Sequence, residues 1–125
     1  MTQPSSSTTA VVLFAHGSRD PLWRAPIEAV ATQIRSMQPG TPVRCAYLEL
    51  CEPALPQAAS ELVAKGVRAI RIFPVFFGVG KHAREDLPVL VEELRTAHPG
   101  LVIELLPAAG ENPELTALMA RIALA

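Results

Sequence analysis

Apolar positions along this chain follow two alternating rhythms. Val11-Val12-Leu13-Phe14-Ala15 is an unbroken apolar run, the pattern of a strand covered on both faces in a parallel sheet. Trp23, Ile27, Val30, Ile34 and Met37 then recur at spacings of four and three, so they line one face of a helix, which Pro39-Gly40 stops. A second strand is predicted from about Pro42 to Leu48. Glu52-Pro53 opens a second helix, since Pro is tolerated in a first turn whose N–H groups have no partner. Leu55, Ala59, Leu62 and Val63 give that helix its apolar face, and Gly66 lies past its end. Val67 to Phe77 reads as the third strand, Gly78 to His82 as a loop, and Leu87, Leu90, Val91 and Leu94 mark a third helix that ends at His98-Pro99-Gly100. Leu101 to Leu106 is the fourth strand. Asn112-Pro113-Glu114 starts the last helix, with Asn as cap, Pro at the first position and an acid at the positive end of the dipole; Leu115, Leu118, Met119 and Ile122 are expected to face the core.

This β-α-β-α-β-α-β-α order predicts an α/β fold of three layers, with right-handed crossovers, a four-stranded parallel sheet and helices on both faces. In such a sheet the chain leaves every strand at the same edge, so residues distant in sequence converge where ligands bind. His16, Glu49 and His82 each follow a predicted strand. Two imidazoles and a carboxylate suit a borderline divalent ion such as Co²⁺, Fe²⁺, Ni²⁺ or Zn²⁺. Three ligands leave coordination positions open, and an open site can hydrolyse a substrate or release its metal. Two further residues are set apart from this group: Glu52 reads as favourable charge near the second helix's N-terminus, and His98 as a residue that complements the C-terminus of the third.

Composition narrows the function classes. The 125 residues fit one domain, taken as 10–125, and the polar stretch 1–9 reads as a disordered leader. Half the residues are hydrophobic and the formal charge is −1, so no global basic field exists to hold nucleic acid or an anionic membrane. No apolar run approaches the roughly 20 residues of a membrane span, and the N-terminus lacks the basic start of a signal peptide; a soluble cytoplasmic protein is expected. Cys45 and Cys51 lack CxxC spacing and read as ordinary buried thiols. The chain contains neither GxxxxGK[ST] nor GxGxxG, so no nucleotide is expected. Histidine phosphatases also place His-Gly after a first strand, but they carry Arg immediately before the His, where this chain has Ala15. Arg19, Arg24, Lys81 and Arg84 flank the two histidines, with Ser18 in the first turn, and could receive a substrate bearing several carboxylates. Phe76, Phe77 and Val79, with Gly78 and Gly80, would form an apolar, mobile wall.

His16-Gly17-Ser18-Arg19, Leu48-Glu49-Leu50-Cys51-Glu52-Pro53 and Gly80-Lys81-His82-Ala83-Arg84-Glu85-Asp86-Leu87-Pro88, in this order and at these separations, resemble the class II, ATP-independent chelatases of cobalamin and sirohaem biosynthesis, especially the short sirohydrochlorin cobaltochelatases. The resemblance extends from about Val11 to the C-terminus. It implies insertion of Co²⁺, or of Fe²⁺ or Ni²⁺ as in close relatives, into a sirohydrochlorin-type tetrapyrrole. Under it His16 and His82 correspond to the metal-binding histidines and Glu49 to their acidic partner, and Glu49 or a histidine free of metal would accept the pyrrole protons. Larger relatives carry two such modules, so a one-module chain implies a homodimer. A non-catalytic metal or tetrapyrrole carrier, and phosphoryl transfer through His16, are the competing readings.

Overall fold

A computed structural model describes residues 9–125. Four parallel strands, β1 (Thr9–Ala15), β2 (Val43–Tyr47), β3 (Ala69–Pro74) and β4 (Val102–Leu105), alternate with helices α1 (Pro21–Met37), α2 (Leu55–Ala64), α3 (Lys81–Ala97) and α4 (Pro113–Leu124), the last preceded by a 3₁₀ turn at Ala109–Glu111. The sheet order is β2-β1-β3-β4. The chain therefore moves outward in one direction from β1 to β2 and in the other from β3 to β4, which makes the β1/β3 junction the topological switch point. The β3/β4 register sets Arg71 opposite Glu104, and the two side chains pair at 2.9 Å.

Alternation along the strands divides the core in two. Ala10, Val12 and Phe14 of β1, with Ile70 and Ile72 of β3, pack against Leu55, Ala59 and Leu62 of α2 and Ala83, Leu87, Val91 and Leu94 of α3. On the opposite face Leu13 and Val43 meet α1 through Ala31, Ile27 and Ile34. The first cluster holds seventeen buried residues and the second three, so one face is closed and the other thinly covered.

Several expectations shift. Thr9 already belongs to β1, and the remainder of the expected leader lies outside the described residues. β2 and β4 are each shorter than expected at both ends. β3 runs only from Ala69 to Pro74, because Pro74 has no N–H to extend the ladder. Its neighbour β4 ends at Leu105, with Leu106 N–H donating to the Ile72 carbonyl. α2 opens at Leu55, with Pro56 in its first turn, and not at Glu52-Pro53. The preceding segment turns back so that Tyr47 N–H donates to the Pro53 carbonyl at 2.9 Å. That turn leaves Glu52 outside the first turn of the helix and withdraws its role as a dipole partner.

The stripe on α1 is displaced: Ile27, Ala31 and Ile34 face the sheet, whereas Trp23, Val30 and Met37 are exposed. α4 buries none of its residues, and Ile122 is 66% exposed. Its apolar stripe exists as expected but meets no core, because the sheet face on this side lies mainly under α1 and a groove lined by Val30, Phe73, Leu115 and Leu118 separates the two helices. Cys45 and Cys51 are half-buried free thiols. Among the described residues no helix is long and apolar enough to cross a membrane.

Candidate metal site at the strand ends

His16 leaves β1 directly, and the turn that follows is built by short-range bonds. Ser18 Oγ accepts from Asp20 N–H at 3.0 Å, and Asp20 Oδ1 accepts from Leu22 N–H at 2.9 Å, so Asp20 is the N-cap of α1 with Pro21 behind it. Ser18 thus acts on the loop's own backbone. The Asp20 cap was legible in the Asp-Pro pair and was not among the expected site or cap residues.

The β1 and β2 loops are locked together. Leu48 N–H donates to the Ala15 carbonyl at 2.9 Å and Glu49 N–H to the His16 carbonyl at 3.0 Å, which carries the parallel ladder two residues past the strands. Gly17 allows this closeness: at φ +100° it takes a conformation costly for any other residue, and a Cβ there would lie 1.8 Å from the Glu49 carbonyl oxygen. His16 and Glu49 are consequently adjacent through their backbones, both with exposed side chains. The next residue, Leu50, has φ 69°, the left-handed region that branched, bulky side chains rarely occupy, at a strain of about 1 to 3 kcal/mol.

The β3 loop closes the other side. Val75 N–H donates to the Phe14 carbonyl at 2.7 Å, and the Phe76 carbonyl accepts from Gly110 N–H at 2.9 Å. Phe76 is 2% exposed and stacks on His16, with ring centroids 4.3 Å apart and planes at 25°. Beyond Phe76 a cleft of about 500 Å³ is lined by Pro74, Val79, Ala83, Leu87, Leu106 and Ala108. The wall expected from Phe76 and Phe77 is thus split: Phe76 is a core residue that supports the His16 ring, and Phe77 is 72% exposed.

His82 departs from its expected place. It does not follow β3 directly but lies in the first turn of α3, after a loop spanning 75–80, and is exposed. Its side chain does not join His16 and Glu49 in a closed cage: among the described residues no three His, Cys, Asp or Glu side chains converge as a ready ligand set. The edge is open, with His16 and Glu49 on locked loops and His82 at a helix start.

The four basic residues are unequal. Arg84 Nη1 donates to the Val79 carbonyl at 3.2 Å and so braces the loop before α3. Arg19 and Lys81 are exposed and Arg24 half-buried. The ion pairs among the described residues join Arg44 to Glu61, Arg71 to Glu104 and Arg95 to Glu92, so none of these four is committed to a carboxylate. Tyr47, at the end of β2, is 3% exposed and its hydroxyl makes no hydrogen bond among the described residues; burial first, then the neighbouring Cys45 and Glu28, push its pKa up to about 12. Burial likewise raises the Cys45 thiol above its ordinary value.

Fold and edge together define a three-layer α/β protein whose candidate site lies at the carboxyl ends of β1, β2 and β3. The chain belongs to the CbiX family, whose model matches residues 10–123. A sirohydrochlorin cobaltochelatase of Methanopyrus kandleri is 37% identical over 82 residues, covering 66% of this chain and 57% of that protein. The chain spans little more than half the length of several such curated relatives. A CbiX protein of Marinobacter aquaeolei assigned to cobalamin (vitamin B12) biosynthesis superposes with a TM-score of 0.81 at 30% identity, over 93% of this chain and 94% of that one. The sirohydrochlorin chelatase SirB of Bacillus subtilis subspecies spizizenii, solved with cobalt, superposes with a TM-score of 0.70 at 25% identity, over 93% of this chain and 50% of that one.

Proposed function

We propose that this chain inserts a divalent metal ion, Co²⁺ first and Fe²⁺ or Ni²⁺ as alternatives, into a sirohydrochlorin-type tetrapyrrole without ATP. The observation that carries the reading is the locking of the His16 and Glu49 loops beside the β1/β3 switch point of a CbiX chain. The sirohydrochlorin cobaltochelatase name of its relatives supports it.

In this mechanism the metal is a substrate, taken up by neutral imidazoles of His16 and His82 with Glu49 beside them. Phe76 holds the plane of the His16 ring, so the ligand need not be ordered at each turnover. Exposure of all three side chains keeps the protein's coordination incomplete, and the four macrocycle nitrogens can then compete for the ion. Insertion also needs a base for the pyrrole protons, a role for Glu49 or for whichever imidazole has released the metal. Arg19, Arg24, Lys81 and the free donors of Arg84 meet the acidic rim of the macrocycle, and Ser18 shapes the turn beneath it.

Two copies of the chain complete the site in this reading, and the reaction takes place in the cytoplasm. The Bacillus chelatase chain is about twice the length matched here, room for a second unit of this size. The apolar stripe of α4 is the surface a second copy would cover. Sedimentation should give a dimer that Ile122→Glu separates; a monomeric wild type contradicts this part. The test of the activity is absorbance of sirohydrochlorin with Co²⁺: insertion should exceed the protein-free rate, whereas tight metal or tetrapyrrole binding without turnover would favour a carrier.

A further inference from the structure

Leu50 combines two features that an ordinary loop leucine lacks. Its backbone is left-handed at φ 69°, a conformation that Gly or Asn adopts with less strain, and its side chain is 50% exposed. Neither burial nor backbone preference accounts for a leucine there. Strained non-glycine residues cluster where a ligand is held.

Phe77 shares the exposure but not the left-handed backbone. Its ring is 72% exposed, while its backbone is pinned: a Cβ on Gly110 would lie 1.6 Å from the Phe77 carbonyl oxygen. Leu50 is pinned in the same way through its neighbour, since Gly17 packs under the Glu49 carbonyl. Each apolar side chain is thus presented to solvent from a backbone fixed by a glycine contact. Both residues lie three residues past the ends of β2 and β3, strands that flank β1 and stand two inter-strand spacings or about 10 Å apart, with His16 leaving β1 between them.

We propose that Leu50, with Phe77 opposite, is a substrate-positioning residue: the two side chains hold the apolar ring system of the macrocycle over His16 while its acidic rim meets Arg19 and Lys81. This rests on the tetrapyrrole reading above and adds to it the residues that orient the ring. Exposed apolar groups beside a ligand edge gain when a flat apolar surface covers them. Both residues act on the macrocycle and not on the ion, so metal affinity and macrocycle affinity separate in their variants.

The experiment compares wild type with Leu50→Asn, Leu50→Gly and Phe77→Ala. It reads thermal unfolding, Co²⁺ affinity from the visible spectrum of the ion, and metal-free sirohydrochlorin binding from quenching of Trp23, the one tryptophan, together with KM and kcat. Both Leu50 variants suit the left-handed backbone, so their unfolding temperature should equal or exceed that of wild type. Macrocycle Kd and KM should rise at least about tenfold, with kcat and Co²⁺ affinity within about twofold; Phe77→Ala should follow the same split. Wild-type KM in both Leu50 variants, or an unfolding temperature lowered together with metal affinity, overturns the proposal while leaving metal insertion intact. A wild-type chain that neither binds sirohydrochlorin nor inserts Co²⁺ overturns the function itself and this proposal with it.

Discussion

At the amino ends of the strands the connections are short and closed on their own backbone. Gly66 N–H donates to the Val63 carbonyl at 3.0 Å on the way into β3, and His98 N–H donates to the Leu94 carbonyl at 2.9 Å while its own carbonyl accepts from Leu101 N–H at 2.9 Å. His98 is part of a helix stop. At the carboxyl ends the connections are longer, are tied to each other, and leave His16, Glu49 and His82 exposed. The His98 backbone is thus bonded into a helix stop at one edge, whereas the imidazoles of His16 and His82 are exposed at the other. The difference lies in where the parallel topology sends the chain.

The largest effect expected at the carboxyl edge is from His16→Ala or His82→Ala: each should lower kcat/KM for Co²⁺ insertion about 10³-fold, roughly 4 kcal/mol of transition-state stabilisation, with an unchanged melting curve for His82→Ala, whose side chain is exposed, and a loss of about 1 kcal/mol for His16→Ala, which gives up its stack on Phe76. Gly17→Ala should follow, losing about 3 kcal/mol of stability in denaturant titration, from a forced left-handed backbone and the collision with Glu49; tolerance there would mean the two loops are not locked. Glu49→Gln keeps the main-chain bond to His16 and removes the charge, so a loss of about tenfold in rate is expected, roughly 1.4 kcal/mol.

Tyr47 tests the limits of the comparison, because it lies at the carboxyl edge and is assigned to structure. Removing an unpartnered buried hydroxyl by Tyr47→Phe should leave the insertion rate alone and add about 1 kcal/mol of stability. Its pKa is raised from 10.0 to about 12 in the folded chain, so the unfolded chain ionises first. Wild type should then lose stability as the pH rises from about 10 to about 12, the Cys45 thiol adding a loss of the same sign. Tyr47→Phe should flatten this alkaline loss in melts across that range. Smallest of all, His98→Ala should change the insertion rate by less than about twofold; a tenfold loss would break the division between the two edges.

Much of this arrangement is readable before any coordinates. The apolar run at Val11–Ala15 locates β1 because burial leaves no polar position there, Ile70, Ile72 and Pro74 mark the buried face of β3 around the exposed Arg71, and Asn112-Pro113 marks α4 by cap chemistry. The same chemistry at Asp20-Pro21 marks α1. What could not be read depends on tertiary packing. The stripe on α4 has helical spacing whether a core or a second chain lies opposite, and periodicity does not choose. His82 looks like a strand-end residue until Pro74 ends β3 early. Leu50 reads as one more hydrophobic residue, since nothing in its identity reports a positive φ imposed by the lock between the β1 and β2 loops.

The central claim is that metal insertion belongs to the carboxyl edge. It is tested most directly by the initial rate of Co²⁺ insertion into sirohydrochlorin, followed by absorbance for wild type, the double variant His16→Ala/His82→Ala, and His98→Ala at equal concentration. The rate should fall to the protein-free background in the double variant and stay within about twofold of wild type in His98→Ala. A double variant that inserts metal at the wild-type rate would contradict the account.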